Sequence, residues 1–230
     1  MESATGDATP SASDTPTCAC IPGRRTCPRC APDAALPAAT EGSGSRDVAW
    51  TFDPARGPKH KRITELLLTE GNTRVNQNLQ CCPLLGSASL ERGLTHTWTI
   101  DVEGNNWVMA GVCLKDVDTS KTVVTLASDE GSAWILFGGY GGQGMFMSLP
   151  NQKAEECKSL DWPALAPGDR VTVIMDTGKG ELAFKVEPRM DQPRVIFTGL
   201  PTDVDLCPVF STNNKNAAIT LVSTSSSVAS

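Results

Sequence analysis

Histidine is nearly missing from this sequence. Two occur in 230 residues, His60 in a polar stretch and His96 in an apolar one. Histidine is the side chain that most readily exchanges protons near neutral pH, so few catalytic readings are open. Long apolar runs are missing too, and no window approaches the roughly 18 apolar residues of a membrane helix. Residues 1–17 are rich in Ser, Thr, Ala and Asp and lack the basic start and apolar stretch of a secretion signal. The expectation is an intracellular, cytoplasmic protein that does not touch membranes. A positive field is also absent. The net charge is −6, and the one basic run, Lys59-His60-Lys61-Arg62, is short. Nucleic acids and anionic membranes attract positive surfaces, so neither is an expected partner, and the run reads as a solvated loop. Pro and Gly interrupt every helical stripe before about ten residues. No repeat of solenoid or propeller period occurs.

What is present divides the chain. Residues 1–46 are dominated by Pro, Ala, Ser, Thr and Gly, with few large apolar side chains. Such a segment cannot bury enough surface to offset its ordering entropy. It is expected to be a disordered tail ending in the flexible stretch Glu41-Gly-Ser-Gly-Ser45. Four cysteines lie in it: Cys18, Cys20, Cys27 and Cys30. Four thiolates can close a tetrahedral zinc site, and Cys-x-x-Cys is a normal half-site. Cys18-Ala-Cys20 is a tight chelate, however, and so short a segment has little apolar support. A zinc site, a metal-free Cys-rich tail and the remnant of a ring-like module all remain open. A complete ubiquitin-ligase ring needs more ligands than this segment holds, so ligase activity is not expected. The nine cysteines in all are an odd number, which excludes full disulfide pairing within one chain.

From Trp50 the pattern is that of strands. Trp98, Ile100 and Val102 alternate with Thr99 and Asp101; Gly104 and Asn105 supply a turn; Val108, Ala110, Val112 and Leu114 alternate again. Period-two patterning around a turn predicts an antiparallel hairpin. A second hairpin is predicted from Val171, Val173 and Met175, the turn Asp176-Thr-Gly-Lys-Gly180, and Leu182, Phe184 and Val186. Further strands are expected at 64–69, 133–137, 144–148, 194–198, 206–211 and 217–222. Many short strands with frequent turns imply a sandwich or barrel.

Residues 94–113, Leu-Thr-His-Thr-Trp-Thr-Ile-Asp-Val-Glu-Gly-Asn-Asn-Trp-Val-Met-Ala-Gly-Val-Cys, resemble the SPRY pattern, in which a Gly/His-aromatic-Trp strand precedes a Trp-x-x-Gly-Val strand, although Trp107 stands one residue further from Gly111 than the commonest spacing. Gly168-Asp-Arg-Val-Thr-Val-Ile-Met-Asp176 with Gly180-Glu-Leu-Ala-Phe184 resembles that family's central hairpin. Phe197-x-Gly-Leu-Pro201 and Leu206-Cys-Pro-Val-Phe-Ser211 are similar to its late strands. Phe52-Asp-Pro54, Leu67-Leu-Thr-Glu-Gly-Asn72 and Cys82-Pro-Leu-Leu-Gly86 are similar to the PRY extension of B30.2-type domains. The usual Lys-Asn-Gly turn after the Phe184 strand is replaced by Glu187-Pro-Arg-Met-Asp-Gln-Pro193. The resemblance implies an all-β fold, an antiparallel two-sheet sandwich of the concanavalin-like jelly-roll kind. The expected division is a tail over 1–46, the sandwich over 47–224 and a disordered C-terminus over 225–230. The implied function is recognition of a protein or peptide by a monomeric, non-catalytic module, as in a substrate-recognition adaptor.

In such a sandwich rim loops can vary without disturbing the core. Four loops are the expected contact surface: 116–121, 138–143, 158–162 and 213–215. Within them Asp116, Asp118, Lys121, Tyr140, Gln143, Trp162, Asn213 and Asn214 are the expected partner-binding residues. Tyr140 tips a Gly-rich loop that lacks the Lys-Ser/Thr of a phosphate loop and opens no helix. Trp98, Trp107 and Trp134 read as packing residues, as do Cys81, Cys82, Cys113 and Cys207. No catalytic residue is assigned. No cofactor is expected, apart from zinc if the N-terminal cysteines bind it. A carbohydrate-binding jelly roll and a zinc-dependent interaction protein are the alternative readings.

Overall fold

The computed structural model describes residues 49–63, 65–104, 107–128, 130–140, 143–147, 162–163, 165–214 and 216–228. In chain order its strands are β1 (Leu68–Thr69), β2 (Arg74–Asn76), β3 (Leu84–Leu85), β4 (Leu94–Gly104), β5 (Val108–Leu114), β6 (Ala133–Tyr140), β7 (Gln143–Met147), β8 (Arg170–Asp176), β9 (Glu181–Glu187), β10 (Arg194–Phe197), β11 (Leu206–Thr212) and β12 (Ala217–Val228). Seven pair antiparallel in the order β1-β2-β12-β4-β8-β9-β10, and five in the order β3-β11-β5-β6-β7. The helix α1 (Val123–Ser128) joins β5 to β6. Among the described residues no helix is long and apolar enough to cross a membrane. The expected two-sheet sandwich is what the chain forms.

Alternation explains which face of β4 is buried. His96, Trp98, Ile100 and Val102 point inward, and the intervening residues are only half-buried. The β8–β9 hairpin forms as expected, with Val173 opposite Phe184 and Met175 opposite Leu182. Its turn is held by the Asp176 carboxylate, which accepts from the amides of Gly178 at 3.0 Å and Lys179 at 2.9 Å. Gly180 supplies the positive φ of +67°.

The other expected hairpin does not exist. β4 pairs with β12 and β8, whereas β5 pairs with β11 and β6 in the other sheet. The chain crosses between sheets after Gly104. The physical reason is visible in β5 itself: Met109, Gly111 and Cys113 are as buried as Val108, Ala110 and Val112. Val108, Ala110 and Val112 face the seven-stranded sheet. Met109 and Cys113 face the opposite way, into a second cluster with Val123, Leu126, Ile135 and Val209. Helix α1 covers that outer face, so β5 is apolar on both sides and its composition is a continuous run.

The C-terminus also differs from expectation. Residues 225–228 are strand, with Ser225 opposite Thr97 and Val228 opposite Leu94. The Ser226 hydroxyl donates to His96 Nδ1 at 2.8 Å, and His96 Nε2 donates to the Glu91 carbonyl at 2.8 Å. The low hydrophobicity of Ser-Thr-Ser-Ser-Ser227 concealed this strand, because its hold comes from backbone pairing and one buried polar contact.

Two expected outcomes follow from this packing. A Cβ on Gly111 would overlap the Trp134 carbonyl oxygen, a backbone atom that cannot swing aside. Gly111→Ala is expected to cost about 1–3 kcal/mol in denaturant unfolding, and an unchanged midpoint would contradict the β5–β6 packing. A chain ending at Thr224 loses the last β12–β4 pairs and leaves His96 Nδ1 buried without a donor. It should lose about 1–3 kcal/mol, and a truncated protein as stable as the full chain would show that these residues are dispensable.

Candidate functional site

The strand register brings three chain segments to one end of the five-stranded sheet. Leu114 lies opposite Leu206, and the ladder continues one step further as the Lys115 amide donates to the Asp205 carbonyl at 2.8 Å. The Leu114 amide donates to the Ser132 carbonyl at 2.8 Å. Together with Arg92, just before β4, these segments enclose a recess of about 660 Å³. That is within the size range of ligand-binding clefts. Leu114, Val117 and Val204 give it an apolar wall, and Asp116, Asp118 and Glu130 add carboxylates around it.

The loop after β5 is shaped locally. Asp118 accepts from the Ser120 amide at 2.9 Å and the Ser120 hydroxyl at 2.7 Å. These bonds, with lesser help from Lys121 and Lys59, hold its carboxyl below the usual range. Val117 is half-buried against the outer-face cluster and anchors the loop. Below it the Arg56 guanidinium donates to the Lys115 carbonyl and lies 3.5 Å from Cys207 Sγ. The cations of the recess converge on one acid. Arg92 Nη2 is 3.0 Å and Lys115 Nζ 3.4 Å from the Asp205 carboxylate. Hydrogen bonds from Arg92, then Lys115, hold the Asp205 carboxyl below its ordinary value. Glu130 pairs with Lys121, whose ammonium is correspondingly raised. Asp116 makes no hydrogen bond or ion pair with any described residue.

The eight expected contact residues do not share a rim. Asp116 and Asp118 line the recess, and Lys121 meets it through Glu130. Tyr140 and Gln143 pair across the β6–β7 turn, beyond the point where Gly138 lies opposite Val108. Asn213 follows Thr212, which also lies opposite Val108, and its amide donates to the Trp107 carbonyl at 3.0 Å. The Asn214 carboxamide oxygen accepts from the Asn216 amide at 3.0 Å. These four residues are therefore at the opposite end of the sheet from Asp116. Trp162, which as a loop residue could equally meet a partner or plug the sandwich, is 4% exposed and belongs to the central core, as a plug would. Residues 158–161 and Cys18, Cys20, Cys27 and Cys30 lie outside the described residues. Sequence reading missed Arg92, Glu130, Val204 and Asp205, which only strand pairing brings to the 114–118 segment. A second recess of about 340 Å³, near Trp50, Thr73 and Val222, has no charged side chain in its lining among the described residues.

The family model described as SPRY domain matches residues 95–224. Among solved structures, the TRIM65 PSpry domain superposes with a TM-score of 0.56 at 17% identity, covering 77% of this chain and 90% of that one. The SPRY domain of human HERC1 gives 0.54 at 16% identity, covering 75% and 97%. Stonustoxin gives 0.52 at 14% identity, covering 76% of this chain and 28% of that one. At such identities the likeness is one of fold. No curated protein matches in sequence.

Among the described residues, three cysteines have thiols held in the protonated form. Burial, and then the neighbouring Cys82, pushes the Cys81 thiol up to about 11. Burial also raises Cys82, and raises Cys113 well above the ordinary thiol range. The thiolate is the reactive form. Both ring nitrogens of His96 are engaged in the bonds described above. Among the described residues no three His, Cys, Asp or Glu side chains group to hold a metal ion. Under iodoacetamide at pH 8 the native protein should leave the buried Cys82, Cys113 and Cys207 unmodified, with all three alkylated in guanidinium. Rapid labelling of native Cys113 in peptide mass mapping would contradict its burial.

Proposed function

The chain belongs to the SPRY domain family, and from that premise we propose that its sandwich recognises a protein segment in the recess beside Lys115 and Asp205. SPRY domains are generally protein-interaction modules. The observation that carries the reading is the recess itself, about 660 Å³, with an apolar wall and a charged margin. That combination is the anatomy of a protein contact: apolar anchoring with polar groups that fix register. The backbone bonds from Lys115 to Asp205 and from Leu114 to Ser132 pre-organise the walls, which lowers the ordering cost of binding. A single copy of the chain contains the whole recess. The role is that of a non-catalytic adaptor that captures a substrate peptide. The carbohydrate alternative is less well supported, because among the described residues no Trp or Tyr lines the recess to stack on a sugar ring.

Dodecapeptides selected from a random displayed library on the full chain, then synthesised and measured by fluorescence anisotropy, test the reading. Val204→Arg and Val117→Arg should each weaken the selected peptides at least about tenfold, equivalent to about 1.4 kcal/mol, while thermal melts confirm folding. Affinities unmoved by both substitutions but lost on changing Asn213 and Asn214 would place the contact at the opposite end and reject the recess.

A further inference from the structure

The recess has a charge asymmetry that its residue types alone do not reveal. Among the described residues four carboxylates, Asp116, Asp118, Glu130 and Asp205, line it against two cations, Arg92 and Lys115. Both cations are engaged by the same acid, Asp205. Glu130 has Lys121, and Asp118 accepts two bonds from Ser120 at its Oδ1 oxygen. Asp116, which is exposed, is the carboxylate left without a donor among the described residues. An acidic segment entering the recess would have to compete with Asp205 for Arg92 and Lys115 and would meet Asp116 uncompensated. A basic one meets no such opposition. Leu114, Val117 and Val204 supply apolar surface for the methylene stem of a long cationic side chain, which buries its stem while keeping its head group near charge. The chain's overall charge of −6 favours the approach of a cation from a distance.

We infer that the captured segment is basic, and that it delivers an arginine or lysine side chain along the apolar wall to the carboxylate of Asp116. This rests on the reading of the recess as a protein-binding site. It assigns the partner's chemistry to one residue, and like-charge repulsion there excludes acidic competitors.

The test uses the full chain and three sets of fluorescein-labelled dodecapeptides with identical apolar residues and a central Arg, Gln or Glu. Arg-centred peptides should bind about two- to fivefold tighter than Gln-centred ones, as expected for an exposed ion pair, and Glu-centred ones should bind weakest. Asp116→Asn should abolish the Arg preference and Asp116→Glu should keep it, with stability unchanged because Asp116 makes no bond to lose. Val204→Arg separates the two levels of inference. Peptides that lose affinity in that variant yet show no Arg preference, or whose preference survives Asp116→Asn, overturn the basic assignment and leave the recess intact. Peptides indifferent to Val204→Arg, or no binding by any set up to about 1 mM, overturn both.

Discussion

The two sheets meet through a run of four aromatic rings. Trp98 projects from β4 of the seven-stranded sheet and Phe210 from β11 of the five-stranded one. Trp50 lies between them, 6.0 Å from Trp98 and 6.1 Å from Phe210, and Phe52 closes edge-on against Phe210 at 5.1 Å. Such pairs add about 0.5–1.5 kcal/mol each beyond their buried area. The backbone of the same segment ties the layers as well. The Phe52 amide donates to Asn72 beside β2, and the Asp53 amide to Leu85 in β3. Gly86 permits the approach, since a Cβ there would press on the Trp50 ring at 3.1 Å. The sandwich therefore depends on residues well upstream of position 95, where the family match begins. The PRY-like segment is structural.

That seam fixes the site at a distance. With the sheets held face to face, the β5–β11 register is set by which residues of both strands face inward, and a slip of one residue would turn Val112 and Phe210 out of the core. The register then places Lys115 opposite Asp205 and Leu114 beside Ser132. The recess is a consequence of core packing, and its charges are arranged by short local contacts. Core and recess are coupled in one direction: changes at Asp116 leave the sandwich alone, whereas changes at Gly111 or Trp98 would disturb both.

The fold was legible because alternation, turn residues and motif order agree along β4, β8, β9 and β11. The β8–β9 hairpin was legible to the residue, since a tight turn makes sequence neighbours spatial neighbours. The assignment of β4 and β5 to one hairpin failed because turn chemistry at Gly104 does not distinguish a hairpin from a crossing between sheets. The uninterrupted apolar run of β5 held the correcting signal. The serine-rich end of β12 was illegible because pairing, with little apolar burial, secures it. At the site, Asp116 and Asp118 were legible as rim residues. The other lining residues Arg92, Val204 and Asp205 were not, because proximity there follows from strand order in a sheet of non-consecutive neighbours. Of the two readings open for Trp162, contact residue or plug, its burial in the core favours the second.

The most direct measurement of where this sandwich meets its partner is hydrogen–deuterium exchange of the full chain, with and without a saturating selected peptide. Protection concentrated in residues 114–118, 130–132 and 204–206 is the expected result. Protection confined to residues 107, 140–143 and 213–214, with the first set unchanged, would contradict it.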